Sequence, residues 1–183
     1  MANQGSGTVY GYTIDPATFA MSPMGASAQI TGLTSPKFVG TARFVEMIGD
    51  SITCGYGVLG AGPMCSFSQD TEAETHAWGA VAAAQLGAAH VAISYSGKGV
   101  YRNLDGSTAE VMPVLWRRTF ADTAGDYDFT QYVPDAVVID LGTNDYAADA
   151  MDDPSTNVTA AMVAFLSQIR MRYPDAWIVV AMS

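Results

Sequence analysis

Four short, almost wholly apolar runs divide the chain, at residues 44–48 (FVEMI), 90–94 (HVAIS), 135–141 (DAVVIDL) and 177–182 (WIVVAM). Runs of this length bounded by polar or glycine-rich stretches read as buried strands. Between them the pattern changes to a helical period. Residues 75–86 (THAWGAVAAAQL) form one predicted helix, stopped near Gly87. Residues 155–172 form another, with Val158, Met162, Phe165, Leu166 and Ile169 on one face and Pro174 closing it. Residues 108–120 suggest a third helix, interrupted by Pro113. Continuous apolar strands alternating with helices imply a parallel sheet covered on both faces. The expected fold is a flavodoxin-like three-layer α/β/α sandwich with a parallel sheet, truncated after the fourth strand. Residues 1–41 are rich in Gly, Ser, Thr, Pro and Ala and sustain no apolar period. They read as an irregular arm whose clearest strand-like pieces are Thr8-Val9-Tyr10 and Gln29-Ile30-Thr31. One domain is expected over residues 42–183.

Length and composition narrow the partners. With 183 residues, 49% of them hydrophobic, the chain can bury one sizeable core. The formal net charge of −10 opposes phosphate backbones, so nucleic acid is not an expected partner, and neutral ligands fit the field better than anionic ones. No apolar run approaches the roughly 18 residues of a membrane span. The first residues, Met1-Ala2-Asn3-Gln4-Gly5, lack the basic start and apolar core of a secretory signal. Cys54 and Cys65 are too few for a disulfide framework and match no zinc-ligand spacing; free thiols or one short-range disulfide both remain open.

Candidate chemistry lies where strands end. In a doubly wound sheet the loops at the carboxyl ends of the strands converge on one crevice. Three polar motifs fall there: Gly49-Asp50-Ser51, Ser96-Gly97-Lys98-Gly99 and Gly142-Thr143-Asn144-Asp145. A serine directly after a buried strand can present its hydroxyl and its own N–H to the same point. Gly97 lets a second backbone N–H approach without a side chain in the way, and Asn144 adds an amide donor. Donors grouped around a serine suit an acyl-transfer intermediate, whose carbonyl oxygen gains negative charge during attack. Asp50 and Asp145 are expected to brace their loops rather than to act as acid or base. Gly55, Gly57 and Gly60 have the spacing of a dinucleotide-binding glycine motif, but they start several residues after the strand and open no helix, so loop flexibility is the better reading.

This arrangement resembles the SGNH (GDSL-like) hydrolases. The blocks Gly49-Asp50-Ser51-Ile52-Thr53-Cys54-Gly55-Tyr56-Gly57 and Ser96-Gly97-Lys98-Gly99-Val100-Tyr101-Arg102-Asn103 are the most specific part, followed by Pro134-Asp135 leading to Gly142-Thr143-Asn144-Asp145. Together they look like the second carbohydrate-esterase family. The resemblance implies a serine esterase acting on small, acetyl-type esters of carbohydrates, with no metal or organic cofactor. It assigns Ser51 as nucleophile, Gly97 (or, second, Gly99) as oxyanion glycine and Asn144 as oxyanion asparagine. The family's last block, an Asp-x-x-His segment after the fifth strand, has no counterpart in these 183 residues.

The general base is therefore open. Only His76 and His90 exist. His76, near the start of the first helix, can in principle fold back over Ser51, although an exposed first-turn histidine is the commoner outcome; His90 opens a strand at the end away from the chemistry and reads as structural. The alternative to a working esterase is a catalytically incomplete fragment that binds ligand or self-associates through the exposed edge of the fourth strand. Trp177 is expected in the core, Trp116 and Tyr101 are minor substrate-contact candidates, and Lys98 and Arg102 are expected to pair at the surface with acidic loops.

Overall fold

The computed structural model describes residues 12–14, 21–23, 43–147 and 153–181. Contacts divide the chain into two compact units, residues 1–41 with 130–132, and residues 42–129 with 133–183. In the first, β1 (Tyr12–Ile14) and β2 (Met21–Pro23) pair antiparallel, Thr13 opposite Ser22. The strand pieces expected at residues 8–10 and 29–31 lie outside the described residues.

The second unit holds a parallel sheet of β3 (Phe44–Gly49), β4 (Ala89–Ser94), β5 (Ala136–Asp140) and β6 (Trp177–Ala181), in the order β4-β3-β5-β6. Counted from β3, this is the 2-1-3-4 order of a flavodoxin-like sheet, with β3 and β5 inside and β4 and β6 at the edges. The alternation of side chains along each strand splits the core in two. On one face Ile48, Val137, Ile139 and Leu141 pack on Val158, Phe165 and Ile169 of α5 (Ser155–Arg172), together with Met112, Leu115 and Trp116. On the other, Val45 and Met47 meet Ala83 of α2 (Trp78–Gln85), with Ala92 and Val138 alongside. Gly79 and the alanines of α2 allow this close approach: a Cβ at Gly79 would sit 3.0 Å from Met47 Cγ. Three layers result, as the alternation of strands and helices implies.

Local departures have local causes. The helix expected over residues 75–86 is split into a 3₁₀ turn, Glu74–His76, and α2, because Ala77 takes an extended conformation between them. Of the helix expected over residues 108–120, only α3 (Met112–Leu115) forms, with Pro113 in its first turn, where a missing N–H costs nothing. Glu110 just before it has a left-handed φ of 51°, which no helix can propagate. α5 keeps its apolar face inward, and Arg170 Nη1 donates to the carbonyls of Tyr173, Pro174 and Ala176, satisfying the chain just past the helix end.

The tryptophans require two corrections. Trp116 is not at the surface for a substrate: it is buried, its ring lies 4.5 Å from Phe129, and its Nε1 donates to Glu46 at 2.6 Å. Trp177, expected in the core, is 79% exposed, because it opens an edge strand. Arg102 is also displaced from its expected surface role. It is buried and its Nε donates to the Asp145 backbone carbonyl at 2.8 Å.

Candidate functional site

The carboxyl end of β3 turns directly into α1 (Ser51–Cys54), and the turn depends on two residues. Gly49 leaves space that the Thr53 side chain and the Asp140 carbonyl occupy; any Cβ there would collide with both. Asp50 is the N-cap, its Oδ1 accepting from Ile52 N at 3.0 Å. Gly55, at φ 80°, stops the helix after one turn, and Tyr56 N donates back to Ser51 O at 2.8 Å. Ser51 is thus the first helical residue. Its N–H belongs to the set that a helix start leaves without an internal partner, and the residue is half-buried.

The second motif follows β4. Lys98 N donates to Tyr95 O at 3.2 Å across a tight turn, and Gly97 takes the left-handed φ of 80° that its third position needs. Neither the Ser51 nor the Gly97 N–H hydrogen-bonds to another described residue. Gly99 differs. Its N–H faces Asn103 Oδ1 at 3.4 Å, and a Cβ on it would collide with Asp145 and the Arg102 carbonyl, so this glycine serves close packing.

α4 (Thr143–Ala147) follows β5 and carries the third motif. Asn144 Nδ2 donates to Asp50 Oδ2 at 3.1 Å and to Lys98 O at 2.8 Å. Both partners are pure acceptors, which sets the amide nitrogen toward the Ser51 and Gly97 loops and ties all three motifs together. Asp145 is fully buried and accepts from the N–H groups of Val100, Tyr101 and Arg102 at 2.7–2.9 Å. It braces the second loop, and Asp50 braces the first, as expected of both. Tyr101 enters this network through its backbone N–H.

Burial pushes the Asp50 carboxyl up from its ordinary 3.8 to about 6, against the lowering effect of the Ile52 N–H, with the nearby negative charges of Asp140 and Asp145 adding to the rise. Asp140 is itself buried, and its Oδ1 has no hydrogen-bond partner among the described residues. Burial likewise raises the Cys54 thiol, whose Sγ lies 3.3 Å from Ser94 Oγ. Both cysteines are free thiols. Ser96 Oγ donates to Glu72, which adds a second acidic side chain beside the Gly97 turn.

The histidines stay apart from Ser51. His76 is exposed, with Nδ1 3.1 Å from Thr75 Oγ1, and His90 Nε2 pairs with Glu74 Oε1 at 2.7 Å near the amino end of β4. No hydrogen bond joins either ring to the Ser51 hydroxyl among the described residues. Those residues also contain no group of three or more His, Cys, Asp or Glu able to hold a metal, and no helix long and apolar enough to cross a membrane. Sequence reasoning passed over Glu46 and Asp140. Glu46 interrupts the apolar run FVEMI and Asp140 ends the apolar residues of AVVID, and an acid in such a place was the available signal.

Comparison with known proteins agrees with this layout. The chain is similar over 146 residues, at 36% identity, to the cellulase/esterase CelE of Acetivibrio thermocellus, covering 80% of the chain and 17% of that protein. An acetylxylan esterase / glucomannan deacetylase of Cellvibrio japonicus is 26% identical over 140 residues, covering 75% of the chain and 38% of the relative. Among solved structures, a family two carbohydrate esterase from Clostridium thermocellum in complex with cellohexaose superposes with a TM-score of 0.73 at 31% identity. The match covers 90% of this chain and 47% of that one. A Corynascus carbohydrate esterase family 2 enzyme gives a TM-score of 0.70 at 35% identity, covering 90% and 50%. The chain therefore spans half or less of the length of these relatives. The model of the GDSL-like lipase/acylhydrolase family matches residues 47–183, from Met47 within β3 through all three polar motifs, and the chain belongs to that family.

Proposed function

We propose that this chain is a serine esterase that hydrolyses small, acetyl-type esters carried on carbohydrates, through an acyl-enzyme on Ser51. The observation that carries the reading is the convergence of Ser51, the Gly97 turn and the Asn144 amide at the carboxyl ends of β3, β4 and β5, tied together by the Asn144 hydrogen bonds. The carbohydrate part rests on the relatives, which are named as carbohydrate and acetylxylan esterases.

In this reading Ser51 Oγ attacks the ester carbonyl carbon while a base takes its proton. The carbonyl oxygen becomes an oxyanion, held by the N–H groups of Ser51 and Gly97 and by Asn144 Nδ2. The Asn144 amide does this by sharing a hydrogen now directed at Asp50 or Lys98. The alcohol leaves with the proton, and water then attacks the acyl carbon and returns Ser51. A second reading is a family member that keeps the fold without turnover in this chain. The separation of His76 and His90 from Ser51 favours it.

Hydrolysis of p-nitrophenyl acetate by the 183-residue chain, Ser51→Ala and His76→Ala decides between them. The esterase reading expects Ser51→Ala to lower kcat by about 10³-fold or more with an unchanged circular-dichroism spectrum. Loss in His76→Ala as well would make that residue the base, whereas full activity there places the base elsewhere. A rate equal to that of Ser51→Ala, together with no covalent labelling of Ser51 by a fluorophosphonate probe, would establish the inert reading.

A further inference from the structure

The segment after the Ser51 turn carries apolar surface that the core does not use. Tyr56 and Phe67 lie with ring centroids 5.5 Å apart and planes 8° from parallel, and they remain 44% and 52% exposed. Val58, Leu59 and Met64 stand exposed in the same segment, Met64 at 93%. An exposed, stacked aromatic pair with further exposed apolar side chains in the same segment is the kind of surface that binds a ligand. Its place is defined by the backbone, because the N–H of Tyr56 donates to the carbonyl of Ser51 at 2.8 Å.

The segment is braced. Leu59 N donates to Thr71 O at 3.1 Å and Ala73 N to Gly55 O at 3.2 Å, so the two ends are held together. Inside it, Gly60 N donates to Gly57 O at 2.8 Å, Cys65 N to Gly62 O at 3.1 Å and Thr71 Oγ1 to Ser68 O at 2.8 Å. The Cys65 sulfur fills the space over Gly60 where any side chain would collide. Such a loop, closed at its ends and packed by its own side chains, presents a surface in one arrangement before ligand arrives.

We infer that the Tyr56–Phe67 stack is a binding platform for a sugar ring of a neutral, linear glycan, next to the Ser51 turn. The inference rests on the carbohydrate-ester reading above and adds the residues that hold the chain of sugars. Residues 57–69 contain no charged side chain, although the protein carries a net charge of −10, so the surface suits an uncharged ligand. A pyranose offers a flat face of C–H groups with hydroxyls at its rim. The C–H face suits the negative face of an aromatic ring, and the rim hydroxyls stay near water. A long acyl chain gains most where it is enclosed on all sides, which this half-open stack does not provide.

Calorimetric titration of the 183-residue chain with cellohexaose tests the platform without requiring turnover. The expected result is measurable binding that weakens about tenfold in Tyr56→Ala and in Phe67→Ala, and that Tyr56→Phe and Phe67→Tyr retain, since each keeps a ring face. Thermal midpoints of the four variants identify any general loss of fold. Unchanged affinity in both alanine variants would overturn the inference, as would no binding by the unmodified chain. So would an effect of both alanine variants confined to p-nitrophenyl octanoate relative to the acetate, which would make the stack an acyl site. Hydrolysis of p-nitrophenyl acetate by the same unmodified preparation reports separately whether the esterase reading itself stands.

Discussion

Asp50 does two things at once: it caps the Ser51 turn through Oδ1 and receives Asn144 through Oδ2, and it does so buried beside two other carboxylates. A carboxyl raised to about 6 when folded binds its proton more tightly than in the unfolded chain. Its contribution to stability is therefore fully present below about pH 4 and is lost as pH rises through about 6, by about 3 kcal/mol in all. Urea midpoints measured from pH 4 to pH 7 are expected to fall for the unmodified chain relative to Asp50→Asn. Parallel curves would show that Asp50 ionises without cost. That a residue so placed belongs to the turn was legible, since an Asp before a helix start is a common cap. Its raised affinity for a proton was not, because it arises first from burial and then from the charges of Asp140 and Asp145, and both depend on segments remote in sequence. The same distinction explains Asn144: its type and position after a strand were readable, whereas its bonds to Asp50 and to Lys98 O exist only once three loops meet.

At the scale of elements, the strands were the most legible part, because each is a short apolar run with polar ends. α5 was equally clear, since eighteen residues with one apolar face can hardly be anything else. Residues 108–120 were misread because apolar content around Trp116 and Leu115 suggested helix, while their burial comes from tertiary packing. β3 shows the same effect. Glu46 sits fully buried in its middle and is held by Trp116 Nε1 at 2.6 Å and Tyr173 OH at 3.0 Å. One strand, the segment after β4 and the end of α5 are thus joined by one carboxylate. Trp116→Phe removes a hydrogen bond to the buried Glu46 carboxyl and a large aromatic contact, and is expected to cost about 2–3 kcal/mol in urea unfolding. A midpoint unchanged within error would mean that Glu46 is solvated in some other way.

For the whole molecule, the edge of the sheet matters most. β6 is hydrogen-bonded to β5 on one side, nothing among the described residues pairs with its other side, and Trp177, Val179 and Val180 are exposed. Such an edge is a template for another strand. The 183-residue chain is therefore expected to self-associate, with a mass by light scattering that rises with concentration and falls back toward 19.2 kDa in Val179→Lys. A single monomeric mass across the dilution series would refute this. The amino-acid sequence alone determined the four strands of the parallel sheet and α5, the parallel α/β class, the family and the three polar motifs, because each depends on local period or on residues adjacent in the chain. Tertiary structure alone decided which N–H groups Asp145 receives, why Gly99 must lack a side chain, which tryptophan is buried and which exposed, and that Tyr56 stacks on Phe67. Those facts depend on distances between segments far apart in sequence, and a one-dimensional pattern of polar and apolar positions carries no record of such distances.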